Sequence, residues 1–169
     1  KLFALLKNEE HSLKDNKLVI FTQFITTADY LERELQKQFP DRIVKSVHSK
    51  TIEGRSSIIK RFAPYYNGSS LELLACNCQG GLKDESGNSI HSKSCMTEKE
   101  INILISTDVL AEGLNLQDSN YLINFDIHWN PVKLMQRIGR VDRRLNPAIE
   151  DLLKKAYPGN AAMRGKIKY

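Results

Sequence analysis

Four arginines lie close together in the segment Gln136–Arg144, which reads Gln-Arg-Ile-Gly-Arg-Val-Asp-Arg-Arg. Arg137, Arg140 and Arg143 are spaced by three residues, so a helix would make them neighbours, and neighbouring like charges repel unless an anion faces them. Guanidinium groups match phosphate oxygens in a geometry that ammonium groups do not offer. The segment therefore predicts a phosphate-facing helix. The alternative is a basic surface helix whose charge is paired with Asp142.

Three polar clusters follow apolar runs that have the composition of buried strands. The clusters are Thr22-Gln23, His48-Ser49-Lys50 and Ser106-Thr107-Asp108. Ligands collect at the carboxyl ends of the strands in an open parallel sheet. One such cluster is more often a helix cap, but three at one edge favour a binding site.

The strands that must position these clusters are predicted at residues 17–21, 43–47, 101–105 and 121–125. The third run is almost continuously apolar, which is typical of a strand buried on both faces of a parallel sheet. Helical patterns alternate with the strands. The chain is therefore predicted to be an α/β domain, with an open parallel sheet and helices on both faces.

Helix signals separate the strands. Apolar residues recur at spacings of three and four from Phe24 to Phe39, with Thr26 and Asp29 as a predicted start signal. Thr51 is predicted to cap a second helix, and Asn130-Pro131 is a strong start signal for a third.

A glycine- and serine-rich segment from about residue 65 to 100 interrupts this alternation and is predicted to be an insertion. It contains Cys76, Cys78, His91 and Cys95, which match the ligand count of a structural zinc site. Their spacing is not that of a common zinc finger. We therefore assign no metal site, and zinc stays an alternative to three unpaired cysteines in a loop.

The composition is that of an ordinary soluble domain. The 169 residues are 41% hydrophobic and 27% charged, and no apolar run is long enough to span a bilayer. The net charge of +5 fits either a lysine-rich solvated surface or a surface that faces a polyanion. Three cysteines argue against a disulfide framework and for a reducing, cytoplasmic compartment. Because the chain opens with Lys1, we expect it to be part of a longer protein.

Four segments together carry a family resemblance. Gln136–Arg143 resembles the sixth motif of superfamily 2 helicases and translocases, Ile105–Gln117 the fifth and Val19–Phe24 the fourth. Gly54–Phe62 fits the helix that usually follows the fourth motif. The resemblance covers about residues 18–144 in the expected order, and it implies the C-terminal RecA-like lobe of such an enzyme. Glu112–Gln117 and Trp129-Asn130-Pro131 are similar to the Swi/Snf-type branch, especially its bacterial members.

The resemblance implies separate roles for the site residues. Arg140 and Arg143 would be the arginine fingers that reach the γ-phosphate of ATP. Gly113 and Asn115 would approach the nucleotide, and Gln136 would lie near the interface between the lobes. Contacts to the nucleic-acid backbone are expected from Thr22, Gln23, Ser49, Lys50, Ser106 and Thr107, where small polar donors would track phosphates without reading sequence.

A phosphate-binding loop is absent from this sequence, since Gly165-Lys166 is followed by Ile167 and follows no predicted strand. ATP and Mg²⁺ are therefore expected to be held mainly by an N-terminal RecA-like lobe outside the chain, with double-stranded DNA as the expected partner. Two alternatives remain. The chain could be a lobe of an RNA or restriction-type DNA helicase, or a degenerate module that binds nucleic acid or a partner protein.

Overall fold

The computed structural model describes residues 16–51, 54–68, 100–108, 115–142 and 146–157, together with Leu2, Leu6 and two short strands at 82–83 and 89–90.

Four parallel strands form the main sheet. The two short strands pair with each other in antiparallel orientation. In chain order the strands are β1 (Leu18–Phe21), β2 (Val44–Val47), β3 (Leu82–Lys83), β4 (Ser89–Ile90), β5 (Ile103–Ser106) and β6 (Tyr121–Asn124). The main sheet has the order β2-β5-β1-β6. Phe21 is in register with both Ser106 and Asn124, and Val47 is in register with Ser106, so all four strands end at one level. The predicted open parallel sheet is confirmed.

Helices cover both faces of this sheet. They are α1 (Ile25–Gln38), α2 (Arg55–Phe62), α3 (Pro131–Val141) and α4 (Pro147–Ala156). The buried residues of α1 pack with Leu18 and Ile20 of β1 on one face. On the other face, residues of α2 and Val141 of α3 pack with Val19 and Phe21. Successive strand residues point to opposite faces, and this alternation gives each face its own core. No helix in the described ranges is long and apolar enough to cross a membrane.

Two predicted helix starts are wrong. Helix α1 begins at Ile25, and its N-cap, Phe24, makes no side-chain capping bond, so Thr26 and Asp29 do not start it. The N-cap of α2 is Gly54. Thr51 instead accepts a hydrogen bond from the backbone N–H of His48 at 2.8 Å, which closes a turn after β2. In both places a short polar residue bonds within a turn or across to a neighbouring element instead of capping.

The predicted start of α3 is confirmed, because the Asn130 side chain accepts a hydrogen bond from Val132 and Pro131 occupies the first turn. Helix α4 was not predicted from the sequence, although its start has the same form. Asn146 accepts a hydrogen bond from Ala148, and Pro147 follows it directly.

A buried polar cluster lies at the amino ends of the strands. Lys17 is 5% exposed and pairs with Glu100, which also accepts a hydrogen bond from the Tyr157 hydroxyl at 2.5 Å. Lys17 also donates to the carbonyl of Phe62 and lies 3.8 Å from Asp118. The cluster joins α2, α4 and the strand starts.

The turn at residues 65–68 lies within the predicted insertion. The Asp118 carboxylate accepts the backbone N–H groups of Tyr65 and Tyr66 at 3.0 and 3.1 Å, so this turn belongs to the packed lobe. The four predicted zinc ligands lie outside the described residues.

Candidate functional site

The carboxyl edge of the main sheet, formed by residues 22–23, 48–50, 106–108 and 124–126, brings the three predicted polar clusters together. Backbone hydrogen bonds continue the sheet ladder past the strand ends. Thr22 donates to Ser106 at 3.0 Å, Thr107 donates to Val47 at 3.1 Å, and Phe125 donates to Phe21 at 2.8 Å. The clusters are therefore fixed side by side by the backbone itself, as the strand-end pattern predicts.

Three hydroxyl groups at this edge point inward. Thr22 and Ser106 are fully buried and Thr107 is 3% exposed. The Ser106 hydroxyl donates to the Thr107 carbonyl at 2.7 Å, and Thr22 donates to the Asp126 carboxylate at 2.6 Å. The Thr107 hydroxyl is buried without a hydrogen-bond partner among the described residues. Direct backbone contacts from these three hydroxyls would need a rearrangement, and their nucleic-acid roles stay predictions.

The accessible polar groups lie in the turn after β2 and at Gln23. Ser49 and Lys50 are exposed, and Gln23 is half-buried. Arg55, at the start of α2, donates to the Ser49 carbonyl at 3.1 Å and adds a second positive charge beside Lys50. This turn is the part of the carboxyl edge where donors and positive charge face solvent.

His48 fixes that turn. Its Nδ1 accepts the backbone N–H of Lys50 at 3.2 Å, so the neutral ring carries its proton on Nε2. Nε2 lies 2.9 Å from the Asp29 carboxylate of α1, where it donates. The pair joins α1 to the turn that presents Ser49 and Lys50, and Asp29 serves in this contact instead of in a helix start.

Arg137 is the centre of the site. It is 2% exposed, and its Nε donates to Asp108 at 2.8 Å while Nη1 donates to the Asn124 side chain at 3.2 Å. The guanidinium also lies 5.3 Å from the centre of the Phe21 ring. The anions that face this arginine are therefore carboxylates of the same chain. The first of the three spaced arginines is an internal anchor for α3, which the phosphate-facing prediction did not anticipate.

Asp108 completes the anchor. Burial by itself would raise the pKa of this carboxyl group, but the hydrogen bond and charge of Arg137, with the charge of Lys133, hold the pKa below its ordinary value. Lys133 Nζ lies 3.5 Å from the second oxygen of Asp108. Asp108 therefore stays ionised at neutral pH and holds α3 against the end of β5.

Asp126 is a site residue that the sequence reasoning missed. One of its carboxylate oxygens, Oδ2, accepts both the Thr22 hydroxyl at 2.6 Å and the Gln23 backbone N–H at 2.8 Å. The other, Oδ1, lies 3.9 Å from Arg137 Nη1. The signal was present, because Asp126 follows the fourth predicted strand directly, as the polar clusters follow the other three.

The predicted nucleotide-side residues lie along α3 and beside it. The carbonyl of Arg140 accepts the backbone N–H of Leu116 at 3.3 Å, which brings Asn115 next to the helix. Asn115 is held in turn by Asn67, whose side chain exchanges two hydrogen bonds with its backbone at 2.9 and 3.0 Å. Arg140 is half-buried and Gln136 is exposed. Gly113 and Arg143 lie outside the described residues.

Large apolar side chains are exposed beside α3. Ile127, Trp129 and Met135 are 80%, 86% and 71% exposed, and Val132 is 55% exposed. These four residues lie between positions 127 and 135 of the chain, and we call them the apolar patch. Monomeric proteins seldom expose large side chains in such a group, so the patch is a candidate contact surface.

Comparison with known proteins now bears on these residues. Residues 69–144 match the helicase conserved C-terminal domain, and this range includes Asn115, Arg137 and Arg140. This part of the chain is therefore similar to a helicase C-terminal domain. The match ends at Arg144, just before α4.

Curated relatives carry the same kind of name. The chain is 33% identical over 129 residues to the uncharacterized ATP-dependent helicase YqhH of Bacillus subtilis, which covers 76% of this chain. It is 24% identical to the ATP-dependent DNA helicase fml1 of Schizosaccharomyces pombe over 95% of the chain. It is also 24% identical to the mitochondrial ATP-dependent RNA helicase MRH4 of Kluyveromyces lactis over 76% of the chain. The chain spans only 17%, 16% and 24% of these relatives, respectively.

Solved structures share the fold of this chain. The C-terminal part of the Fun30 ATPase domain aligns with a TM-score of 0.54 and 23% identity, over 85% of this chain and 35% of that chain. The yeast DEAD-box splicing factor Prp28 aligns with a TM-score of 0.51 and 22% identity, over 96% of this chain and 30% of that one. The same fold therefore occurs in an ATPase domain and in a DEAD-box splicing factor.

Proposed function

We propose that this chain is the C-terminal motor lobe of an ATP-dependent DNA helicase or translocase of the Swi/Snf-like branch. In this proposal Arg140 and Arg143 are arginine fingers for ATP hydrolysis, and the carboxyl edge contacts the nucleic-acid backbone. The match of residues 69–144 and the names of the curated relatives support the helicase part. The resemblance of Glu112–Gln117 and Trp129-Asn130-Pro131 to the Swi/Snf-type branch favours that branch.

The anchoring of α3 through Arg137 carries the proposal. Arg137 is buried in contact with Asp108 and Asn124, so the helix that carries Arg140 one turn later is fixed to the sheet. An arginine that stabilises a transferring phosphoryl group must be held in position before the reaction, because preorganised charge costs no reorganisation during it. A solvated basic helix would have no need for a buried anchor of this kind.

The donor set fits the arginine side of an ATP site. Arg140 is half-buried and carries a planar fork of donors that suits phosphate oxygens. Among the described residues, no three His, Cys, Asp or Glu side chains group together as Mg²⁺ ligands would. In our proposal Mg²⁺ and the ATP phosphates are held mainly by an N-terminal RecA-like lobe, and this chain supplies positive charge from the opposite side.

The apolar patch gives this second lobe a place to contact the chain. Trp129 and Met135 lie just before α3 and within it, close in sequence to Gln136. A lobe that docked on the patch would bring its bound nucleotide towards α3. In this proposal Gln136 lies near the interface between the two lobes.

The test is made in the full-length protein that contains this chain. Arg140→Ala should lower ATP turnover by about 10³- to 10⁵-fold, the usual contribution of an arginine finger. Nucleic-acid affinity should stay within a few-fold of the parent. Arg140→Lys should not restore turnover, because a point charge on a flexible stem does not reproduce the fork.

Arg33→Ala is the matched control. Arg33 lies on α1 with a side chain 65% exposed and pairs with Glu34, so its loss should leave turnover unchanged. Phosphate release and nucleic-acid binding should be measured for all variants in parallel. Parental turnover in Arg140→Ala would refute the finger assignment and favour a degenerate binding module.

The second candidate is a lobe of an RNA or restriction-type DNA helicase. The relative MRH4 is an ATP-dependent RNA helicase by name, and Prp28 shares the fold. ATP turnover should be compared with duplex DNA and with RNA of the same sequence. Stronger stimulation by duplex DNA supports the first proposal, and stronger stimulation by RNA supports the second.

A further inference from the structure

We propose that Asp126 is a positioning residue that couples the carboxyl edge to α3. It would exchange its carboxylate between Thr22 and Gln23 on one side and Arg137 on the other. This inference rests on the proposed function. It names the residue through which nucleic acid bound at the carboxyl edge would change the position of α3, the helix that carries Arg140.

Asp126 lies between two sets of partners and satisfies only one of them. Its Oδ2 accepts two hydrogen bonds, from Thr22 and Gln23, at 2.6 and 2.8 Å. Its Oδ1 is buried and has no hydrogen-bond partner among the described residues. Burying a carboxylate oxygen without a hydrogen-bond donor costs free energy, so Oδ1 would gain from a donor that this arrangement does not supply.

Such a donor lies nearby. Arg137 Nη1 lies 3.9 Å from Asp126 Oδ1, which is an ion pair without a hydrogen bond. Arg137 Nη2 is buried, and it too has no hydrogen-bond partner in the described part of the chain. Two opposite charges therefore face each other with unused hydrogen-bonding capacity on both. A small rotation of the Asp126 side chain towards Arg137 would let the guanidinium donate a hydrogen bond to Oδ1.

A phosphate at the carboxyl edge would drive that rotation. The Thr22 hydroxyl and the Gln23 backbone N–H are donors of the type that bind nucleic-acid phosphates, and Asp126 occupies both. Thr22 is fully buried, so a phosphate reaches these donors only after a local rearrangement of the carboxyl edge; it then competes for them with the Asp126 carboxylate, which carries like charge. Displaced from them, the carboxylate has Arg137 as its nearest cation.

A rotation of the Asp126 side chain would affect α3, because Arg137 of this helix lies between two carboxylates. Asp108 holds its Nε from the β5 side, and Asp126 approaches its Nη1 from the β6 side. A stronger bond to Asp126 changes the balance of forces on the residue that anchors α3. Arg140 lies one turn further along the same helix.

The decisive variant is Asp126→Asn in the full-length protein, with duplex DNA as the probe. The amide oxygen can still accept from Thr22 and Gln23, but the uncharged side chain cannot form an ion pair with Arg137. The ratio of ATP turnover with and without DNA should fall to near one, whereas allosteric couplings are usually about 5- to 150-fold. DNA affinity should stay equal or rise a few-fold, because a negative charge beside the phosphate is removed.

For a second variant we expect ATP turnover without DNA to change, and to increase. Thr22→Val removes one of the two donors that hold Asp126 at the carboxyl edge, so turnover without DNA should rise towards the stimulated rate. Thr22→Ser keeps the hydroxyl, so it should restore the ratio of ATP turnover with and without DNA that Thr22→Val loses. Asp151→Asn is the charge-matched control, because Asp151 lies on α4 with a side chain 69% exposed.

The outcomes separate the two proposals. If the parent shows no stimulation by DNA or RNA, the proposed function fails. If the parent is stimulated and Asp126→Asn is stimulated equally, the coupling role is wrong and the proposed function stands. A purely structural Asp126 would lower the thermal midpoint and both rates but leave their ratio intact, which also overturns the coupling role. If Asp126→Asn does not fold, an unchanged basal rate in Thr22→Val overturns it.

Discussion

Replacing Arg137 by methionine should destabilise the chain far more than the same change at Arg140. Methionine keeps an unbranched apolar stem against Phe21 but removes the charge and the donors. Arg137 is 2% exposed, and its loss leaves Asp108 without its 2.8 Å partner and Asn124 without its 3.2 Å donor. Breaking a buried ion pair from one side costs about 3–5 kcal/mol, because the remaining charge stays uncompensated.

The structure places the expected loss somewhat below that range. The Asp108 side chain is 25% exposed and keeps Lys133 at 3.5 Å, so water and a second cation compensate part of its charge. We therefore expect a loss of about 2–4 kcal/mol from the free energy of unfolding. Arg140 is half-buried, and among the described residues its side chain forms no ion pair, so Arg140→Met should cost less than about 1 kcal/mol.

Urea titration followed by circular dichroism measures both changes. With a slope of about 2 kcal/mol per molar urea, Arg137→Met should lower the midpoint by about 1–2 M, and Arg140→Met by a few tenths. Adding Asp108→Asn to Arg137→Met should cost less than the sum of the single changes, since the two residues are in contact. Equal midpoint shifts for the two methionine variants would refute the anchor role of Arg137.

Three further predictions concern other parts of the lobe. Gly139→Ala should raise the free energy of unfolding by about 0.5–1 kcal/mol in a urea titration, because the added Cβ would meet nothing within 4 Å and glycine is a poor residue inside a helix; a loss of stability would contradict the open surroundings. Burial first, and then the charges of Glu100 and Asp118, raise the pKa of Tyr65 from 10.0 to about 12. Its stabilising effect is therefore present below pH of about 10 and lost as the pH rises towards about 12, so Tyr65→Phe should flatten the alkaline fall of the urea midpoint. If the predicted insertion binds zinc, metal analysis should give about one equivalent, lost in Cys76→Ser, and metal-free folded parent protein would exclude it.

The sheet could be predicted from the sequence because its signals are local and strong. Each strand of the main sheet is a short apolar run, and the polar clusters after three of these runs mark the carboxyl edge. The start of α3 was equally readable, since Asn130-Pro131 combines a capping side chain with a residue suited to the first turn. Asn146-Pro147 carries the same signal for α4 and was overlooked.

The internal role of Arg137 could not be predicted from sequence spacing. Spacing indicates which helix positions are neighbours, but it does not indicate which of them faces the sheet. Asp108 lies 29 residues from Arg137 in the chain, so the pairing exists only after the sheet has formed. Asp126 was hidden for a similar reason, because its donors at Thr22 and Gln23 are more than 100 residues away.

The polar cluster at the amino ends of the strands allows connections of different lengths between α2 and β5. Lys17 contacts the carbonyl of Phe62 and the carboxylate of Glu100, and the backbone N–H of Ile101 donates to the carbonyl of Arg61 at 3.2 Å. The two ends of the connection are thus clamped together by the lobe, on the side opposite the carboxyl edge. Each doubling of a flexible connection then adds only about 0.6 kcal/mol of closure entropy. This connection could therefore be lengthened, shortened or replaced, even by a folded module, without moving α3.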